Sequence, residues 1–481
     1  MMRALQRFSP KLGAMGRACV ALLAAGLAAG GARGEGVAAK TDPVAAYEVR
    51  VETADVAGGR QTRLVFTLNA CVAPQAYVLD QPARAVVDLP EVKFLIDPSH
   101  GDPARDAPRR RHHARGASHA SSPAPDPALS YRFGRLSAGK SRIIVDLPGP
   151  SDFSASCVQD EGQTKGQKDG VATLTLAIKP TDAAAFHAAA HAGADRQAQD
   201  ARDATGAIAP PAQELPRAQD ATRLDAKPLI VLDPGHGGVD AGARGGDAVE
   251  KTVVLDFAKA LAEPLRASGR YRVAFTREDD TFVPLQERVR IARKLGAALF
   301  VSLHADSLRG ASAKVHGATV YTVSERASDS EAARVAESEN QADALAGVEA
   351  REQAGEVNDI LFDLTRRETR AYSNVFAKYL SERWKIAATL NKNPRRFAGF
   401  VVLKAPDVPS VLMELGYLSS SEDSAELNSP QWREKAAAQA ALAIDDFFKN
   451  RPQGASQGTY QGASSAPAGL TPANLAQPRE P

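Results

Sequence analysis

Two histidines and two glutamates stand out by residue type and by position. His236 lies in Asp233-Pro234-Gly235-His236-Gly237-Gly238, directly after the apolar run Leu229–Leu232, and Glu250 follows fourteen residues later at the opening of a helical pattern. His304 ends the run Leu299–Leu303 and is followed by Ala305-Asp306, while Glu414 ends Ser410-Val411-Leu412-Met413 and is followed by Leu415-Gly416. Three of the four have ordinary structural explanations when taken alone. His236 could be a turn residue in a glycine-rich loop and His304 a hydrogen-bonded core histidine. Glu250 could be the third residue of a capping box with Asp247 as N-cap. Glu414 resists such a reading, because a carboxylate at the end of an apolar run is costly to bury unless it is paired or metal-bound. Together they supply what a hydrolytic zinc ion requires. Two imidazoles and one carboxylate can serve as ligands, a fourth position stays open for water, and the second carboxylate can act as base.

The elements around these residues put them at strand ends. Lys227–Asn450 alternates short apolar runs with helical stripes. A helix carries Val254, Phe257, Leu261 and Leu265; Tyr271–Thr276 reads as a strand, Pro284 opens a second helix, and Ala298–Leu303 is a strand again. This is an α/β pattern, a central and mainly parallel sheet flanked by helices, and such sheets place ligands beyond the carboxyl ends of their strands.

The remaining chain divides by composition. Residues 1–34 have a basic front (Arg3, Arg7, Lys11, Arg17), an apolar run Ala18–Ala29 and small residues after it, the pattern of a cleaved signal peptide. The run is short for a permanent span, so no integral membrane segment is expected after cleavage. The absence of an Arg-Arg pair favours the general secretory route. Residues 44–180 contain short alternating runs separated by Pro and Gly, which predicts an all-β, sandwich-like domain. Two of those runs share a pattern: Arg84–Leu89 and Arg142–Leu147 each have Arg, three apolar residues, then Asp-Leu followed by Pro. Residues 99–127, with Arg109-Arg110-Arg111-His112-His113 among Pro, Ala and Ser, read as a disordered insertion, 181–226 as a linker and 451–481 as a disordered tail. With a net charge of +2, nothing in the overall charge balance points to nucleic acid. In an exported chain Cys71 and Cys157 form an even pair that can be bridged.

Leu232–Gly238, Ala241–Lys251, Thr276–Asp280, Arg288–Ala292, Ser302–Asp306 and Met413–Tyr417 resemble, in order and spacing, the zinc amidases of the Amidase_3 family. The resemblance implies one zinc ion bound by His236, Glu250 and His304, and Glu414 as general base. The reaction it implies is hydrolysis of the amide bond between N-acetylmuramic acid and L-alanine in peptidoglycan. The duplicated Arg-to-Pro pattern resembles the AMIN domain, a wall-targeting module. Ala327–Ala346 has helical spacing that ends at Gly347, with Ala332, Val335, Ala342 and Leu345 on one stripe and Glu339 among them. Residues 325–371 hold the place where division amidases of the family carry an inhibitory helix. That resemblance implies Glu339 as a zinc-blocking ligand, with Glu337 as the alternative, and a protein activator of the LytM-domain type. It also implies a periplasmic setting and a role in daughter-cell separation. The long helix expected through Val357, Ile360, Leu361, Leu364, Val375, Phe376 and Tyr379 has a packing role. A zinc peptidase acting on wall peptides and a silent wall-binding scaffold are the rival readings, and reaction products separate them.

Overall fold

The computed structural model describes residues 43–56, 59–97, 100–101, 129–160, 171–205, 227–246, 248–307, 315–348 and 360–450. The expected signal segment (1–34), tail (451–481), nearly all of the 99–127 insertion and Val357 lie outside the described residues.

The described residues of the amino-terminal portion form nine strands: β1 Val44–Val56, β2 Gly59–Leu68, β3 Gln75–Asp80, β4 Ala83–Pro90, β5 Val92–Phe94, β6 Tyr131–Ser137, β7 Lys140–Asp146, β8 Ser151–Asp160 and β9 Val171–Pro180. They form two sheets, ordered β5-β1-β2-β9-β8 and β3-β4-β7-β6. Strict alternation lets each sheet turn one face inward. Leu64, Phe66, Leu174 and Leu176 of the first sheet share a core with Val87, Ile143 and Val145 of the second. The two repeated runs pair with each other, since β4 and β7 are antiparallel with Arg84 opposite Asp146 and Asp88 opposite Arg142. Cys71 and Cys157 are joined by a disulfide that ties the loop after β2 to β8.

The stretch read as a linker departs from expectation. It opens with a 23-residue helix, α1 Ala183–Thr205, and Phe186 and Ala190 are buried in the β core. An alanine-rich segment has high intrinsic helix propensity, so a small apolar contact is enough to dock it.

The second portion contains β10 Leu229–Pro234, a small hairpin of β11 Arg244–Gly245 and β12 Ala248–Val249, α2 Glu250–Ala267, β13 Arg272–Phe275, α3 Leu285–Lys294 and β14 Leu299–His304. After these come β15 Ala318–Val323, α4 Ser330–Asn340, α5 Ala342–Leu345, α6 Ile360–Trp384, β16 Leu390–Ala398, β17 Ser410–Glu414, α7 Ser421–Leu427 and α8 Pro430–Lys449. The sheet order is β13-β10-β14-β17-β15-β16. Every neighbouring pair is parallel except β15 with β17. Both faces are covered, which is why the strands read as continuous apolar runs. Ile230, Leu232, Val301 and Met413 face α2, α6 and α8 through Phe257, Phe376 and Ile444. Val231, Phe300 and Leu412 face α3 and α4 through Leu285, Ala332 and Val335. Phe376 of α6 is fully buried, whereas Leu364 and Val375 are exposed, so the packing role expected of this helix falls on part of the named set. No helix among the described residues is long and apolar enough to cross a membrane.

Candidate metal centre

Parallel register brings the three strand ends together. Pro234 lies beside Leu303, and His304 beside Glu414. Just past β10 the backbone at His236 takes a left-handed conformation, φ 58°, that residues with a side chain seldom adopt. Two arginines hold this turn. Arg288 donates to the carbonyls of Pro234 and His236, each at 2.7 Å, and Arg277 to those of Pro234 (2.9 Å) and Gly235 (2.7 Å). Gly235 has to be glycine, because a Cβ there would fall 2.4 Å from the His304 ring.

Beneath the turn, Asp233 is fully buried and accepts hydrogen bonds from Arg288 Nη1 (2.8 Å), Thr276 Oγ1 (2.5 Å) and Ser302 Oγ (2.7 Å). Burial pushes its pKa up, but the Arg288 charge and the two hydroxyls outweigh burial and hold it below the usual carboxylate value.

Each candidate ligand is oriented from behind. His236 Nδ1 faces Asp240 Oδ2 at 2.8 Å, which turns Nε2 toward the centre. Glu250 is the first residue of α2, whose N-cap is Val249, so the capping-box explanation does not hold. Instead Glu250 Oε2 accepts the Ala243 N–H (2.7 Å) and Oε1 the Ala305 N–H (2.8 Å). Glu250 Oε1 stands 3.1 Å from His236 Nε2 and 3.2 Å from His304 Nδ1. Glu339, on the buried face of α4, places Oε2 2.9 Å from His304 Nδ1 and 3.5 Å from His236 Nε2. Glu337, the alternative, is exposed.

These four residues are all buried, and their donor atoms lie within 4.8 Å of one another. Although close, His236 Nε2, His304 Nδ1 and Glu339 Oε2 make no hydrogen bond of good geometry. Buried polar atoms this close together and left without hydrogen-bond partners are what a shared cation would satisfy. Donors about 2.1 Å from a tetrahedral zinc ion stand about 3.4 Å apart, so this set fits a metal. Electrostatics agree. Burial lowers the proton affinity of His304, yet Glu339 and Glu250 outweigh it and raise the pKa to about 10. His236 is also raised well above its ordinary value, with Asp240, Glu250 and Glu339 overcoming burial. The pocket therefore concentrates negative charge that protons or a cation must balance.

Glu414 stands apart from the four. Its Oε2 accepts the Asp306 N–H at 3.0 Å, and its Oε1 is buried without a hydrogen-bond partner. Burial holds its pKa well above the carboxylate range, with Asp306, Glu339 and Glu250 adding to the effect and His304 opposing it.

The structure thus brings His236, Glu250, His304 and Glu339 together, sets Glu414 at the adjacent strand end beside His304, and leaves Glu337 exposed. Sequence reasoning passed over Asp233, Asp240, Arg277 and Arg288 as site residues. An acid four residues after a candidate ligand was the signal available for Asp240, whereas the other three are recognisable only from their contacts.

Residues 230–446 match the Amidase_3 family, described as N-acetylmuramoyl-L-alanine amidase. Over 230 residues the chain is 38% identical to the N-acetylmuramoyl-L-alanine amidase AmiA of Escherichia coli (strain K12), covering 47% of this chain and 78% of that protein. It is 30% identical over 399 residues to the amidase AmiC of Neisseria meningitidis serogroup B, covering 80% of this chain and 87% of that one. Two buried histidines at the ends of parallel strands, with Glu250 and Glu339 beside them, together with these likenesses, make the chain a member of the Amidase_3 family of N-acetylmuramoyl-L-alanine amidases, enzymes of peptidoglycan.

Proposed function

We propose that this amidase is a zinc enzyme whose resting state is closed by its own Glu339. The observation that carries the reading is the position of Glu339 Oε2, 2.9 Å from His304 Nδ1 and 3.5 Å from His236 Nε2 in a buried pocket. A carboxylate there occupies the side of the centre that water and substrate would need.

In the open state His236, Glu250 and His304 hold the metal, with Asp240 fixing the His236 tautomer. Zinc, when bound, supplies electrophilic activation of the amide carbonyl and acidifies a water molecule. Glu414 takes the proton of the attacking water on Oε1 and delivers it to the L-alanine nitrogen as the C–N bond breaks. The Asp306 N–H keeps Oε2 still while this occurs.

The cap formed by α4 and α5 buries Ala332, Val335, Ala336 and Glu339 on one stripe, so displacing Glu339 means moving the helix. A protein activator of the LytM-domain type would bind the displaced form better and shift the population toward it. The signal-like residues 1–34 and the duplicated Arg-to-Pro runs, which resemble an AMIN module, support a periplasmic enzyme anchored to the wall for daughter-cell separation.

The test is mass spectrometry of peptides released from purified peptidoglycan by the zinc-loaded full chain and by Glu339→Ala. Stem peptides beginning with L-alanine, released about tenfold or more faster by the variant, are expected. Equal rates, with zinc bound in both, would remove Glu339 as the block.

A further inference from the structure

The cap ends against the β domain. α5 stops in a Schellman turn, with Gly347 at φ 66°, its N–H on the Ala344 carbonyl (2.9 Å) and the Val348 N–H on that of Asp343 (2.8 Å). The last carbonyls of a helix have no partner within it and look outward for donors. Here the donors come from side chains 150 to 260 residues away in sequence. Arg84 Nη1 donates to the Ala344 carbonyl, and Arg132 Nε to that of Leu345 at 3.0 Å. Arg142 Nη1 reaches the carbonyls of Ala346 (3.1 Å) and Gly347 (2.9 Å), and Gln197 of α1 also donates to Gly347. Four consecutive carbonyls are thus held from the β domain and its helix. A guanidinium is also the group that the negative end of a helix favours.

The pairing of the two repeats creates this surface. Arg84 and Arg142 occupy equivalent places in them, and alternation puts both on the face turned away from the β core. Asp88 grips Arg142 at 2.6 Å and Asp146 grips Arg132 at 2.6 Å, which orients the donors. Ile144 lies between these residues on the same face and packs with Ala346 of the cap and with Val239 and Phe282 beside the metal loop. The clasped carbonyls begin five residues after Glu339, so α4 cannot swing away while they are held.

We propose that the β domain is the clasp of the lock. Its Arg84, Arg132 and Arg142 face holds the carbonyl end of the cap and so sets the fraction of molecules with Glu339 at the metal site. Any opening event must break these bonds. The inference rests on the reading that Glu339 blocks the site.

The test uses the zinc-loaded full chain with Arg84→Ala/Arg132→Ala, and Arg132→Ala alone in case the double variant fails to fold. Two quantities are read: basal release of L-alanine stem peptides, and amide hydrogen exchange of α4 and α5. Faster exchange in the cap, unchanged exchange in β4 and β7, and basal release raised at least threefold are expected. Adding the arginine changes to Glu339→Ala should then give little gain over Glu339→Ala alone, because both act on one equilibrium. Unchanged cap exchange in a folded variant overturns the proposal. So does faster exchange with wild-type release, provided Glu339→Ala alone is activated. If Glu339→Ala alone is not activated, the blocking reading itself has failed, and the clasp then holds a helix that gates nothing.

Discussion

Replacing Asp233 with Asn would test how the metal turn is held. The side chain keeps its shape and loses its charge, beneath a turn whose carbonyls are all engaged. Asp233 is 0% and Arg288 2% exposed, so the variant leaves a buried guanidinium without its counter-ion. Breaking a buried pair by removing one partner costs about 3–5 kcal/mol. Arg288 keeps the carbonyls of Val283, Pro234 and His236, which argues for the lower end, about 3 kcal/mol. With a urea dependence of about 3 kcal/mol per molar, the unfolding midpoint should fall by about 1 M. Both tryptophans, Trp384 and Trp432, pack in the core of this domain, so their fluorescence reports its unfolding. The effect should also depend on pH. The folded pKa of Asp233 is lowered, so its stabilisation is present above the unfolded value of about 3.9 and is lost as pH falls through the folded value. The gap between wild type and variant should be full at neutral pH and narrow below about pH 4. A midpoint shift under about 0.2 M at neutral pH, or a gap that does not narrow in acid, would refute this account of the turn.

Three further outcomes follow from the same geometry. Glu414→Gln should retain zinc by metal analysis while turnover drops about 10²- to 10⁴-fold, and a variant within about threefold of wild type would take Glu414 out of proton transfer. Asp240→Ala should weaken zinc binding about 10- to 100-fold in a chelator competition, since the Asp240 carboxylate faces His236 Nδ1 and fixes its tautomer; unchanged affinity would assign that role elsewhere. Cys157→Ser opens a crosslink between residues 86 apart and should cost the β domain about 2–4 kcal/mol, seen as earlier melting by far-ultraviolet circular dichroism. Identical melting of wild type with and without reductant would count against any stabilising role for the bridge.

Much of the centre could be read before folding. The runs Leu229–Leu232, Leu299–Leu303 and Ser410–Met413 are apolar throughout because both faces of their strands are buried, and the residues just beyond them are the ones that can do chemistry. The stripe carrying Glu339 shows through helical periodicity, because a helix records locally which of its faces is buried. Even the duplicated Arg-to-Pro runs were visible, as a repeat without a reason. The reason came with register: only the pairing of β4 with β7 puts Arg84 and Arg142 together beneath the end of α5. The helix α1 went unread because an alanine-rich segment advertises propensity and little apolar period. Arg288 was silent for a related reason, since an arginine on an amphipathic helix looks solvent-facing until another element covers it, and Arg277 and Asp233 declare themselves only through the partners that packing brings to them. Sequence alone therefore determined which residues stand at the strand ends, since burial pattern and residue type are local. Tertiary structure decided which distant side chains brace them and which hold the cap, since those contacts depend on how whole elements pack.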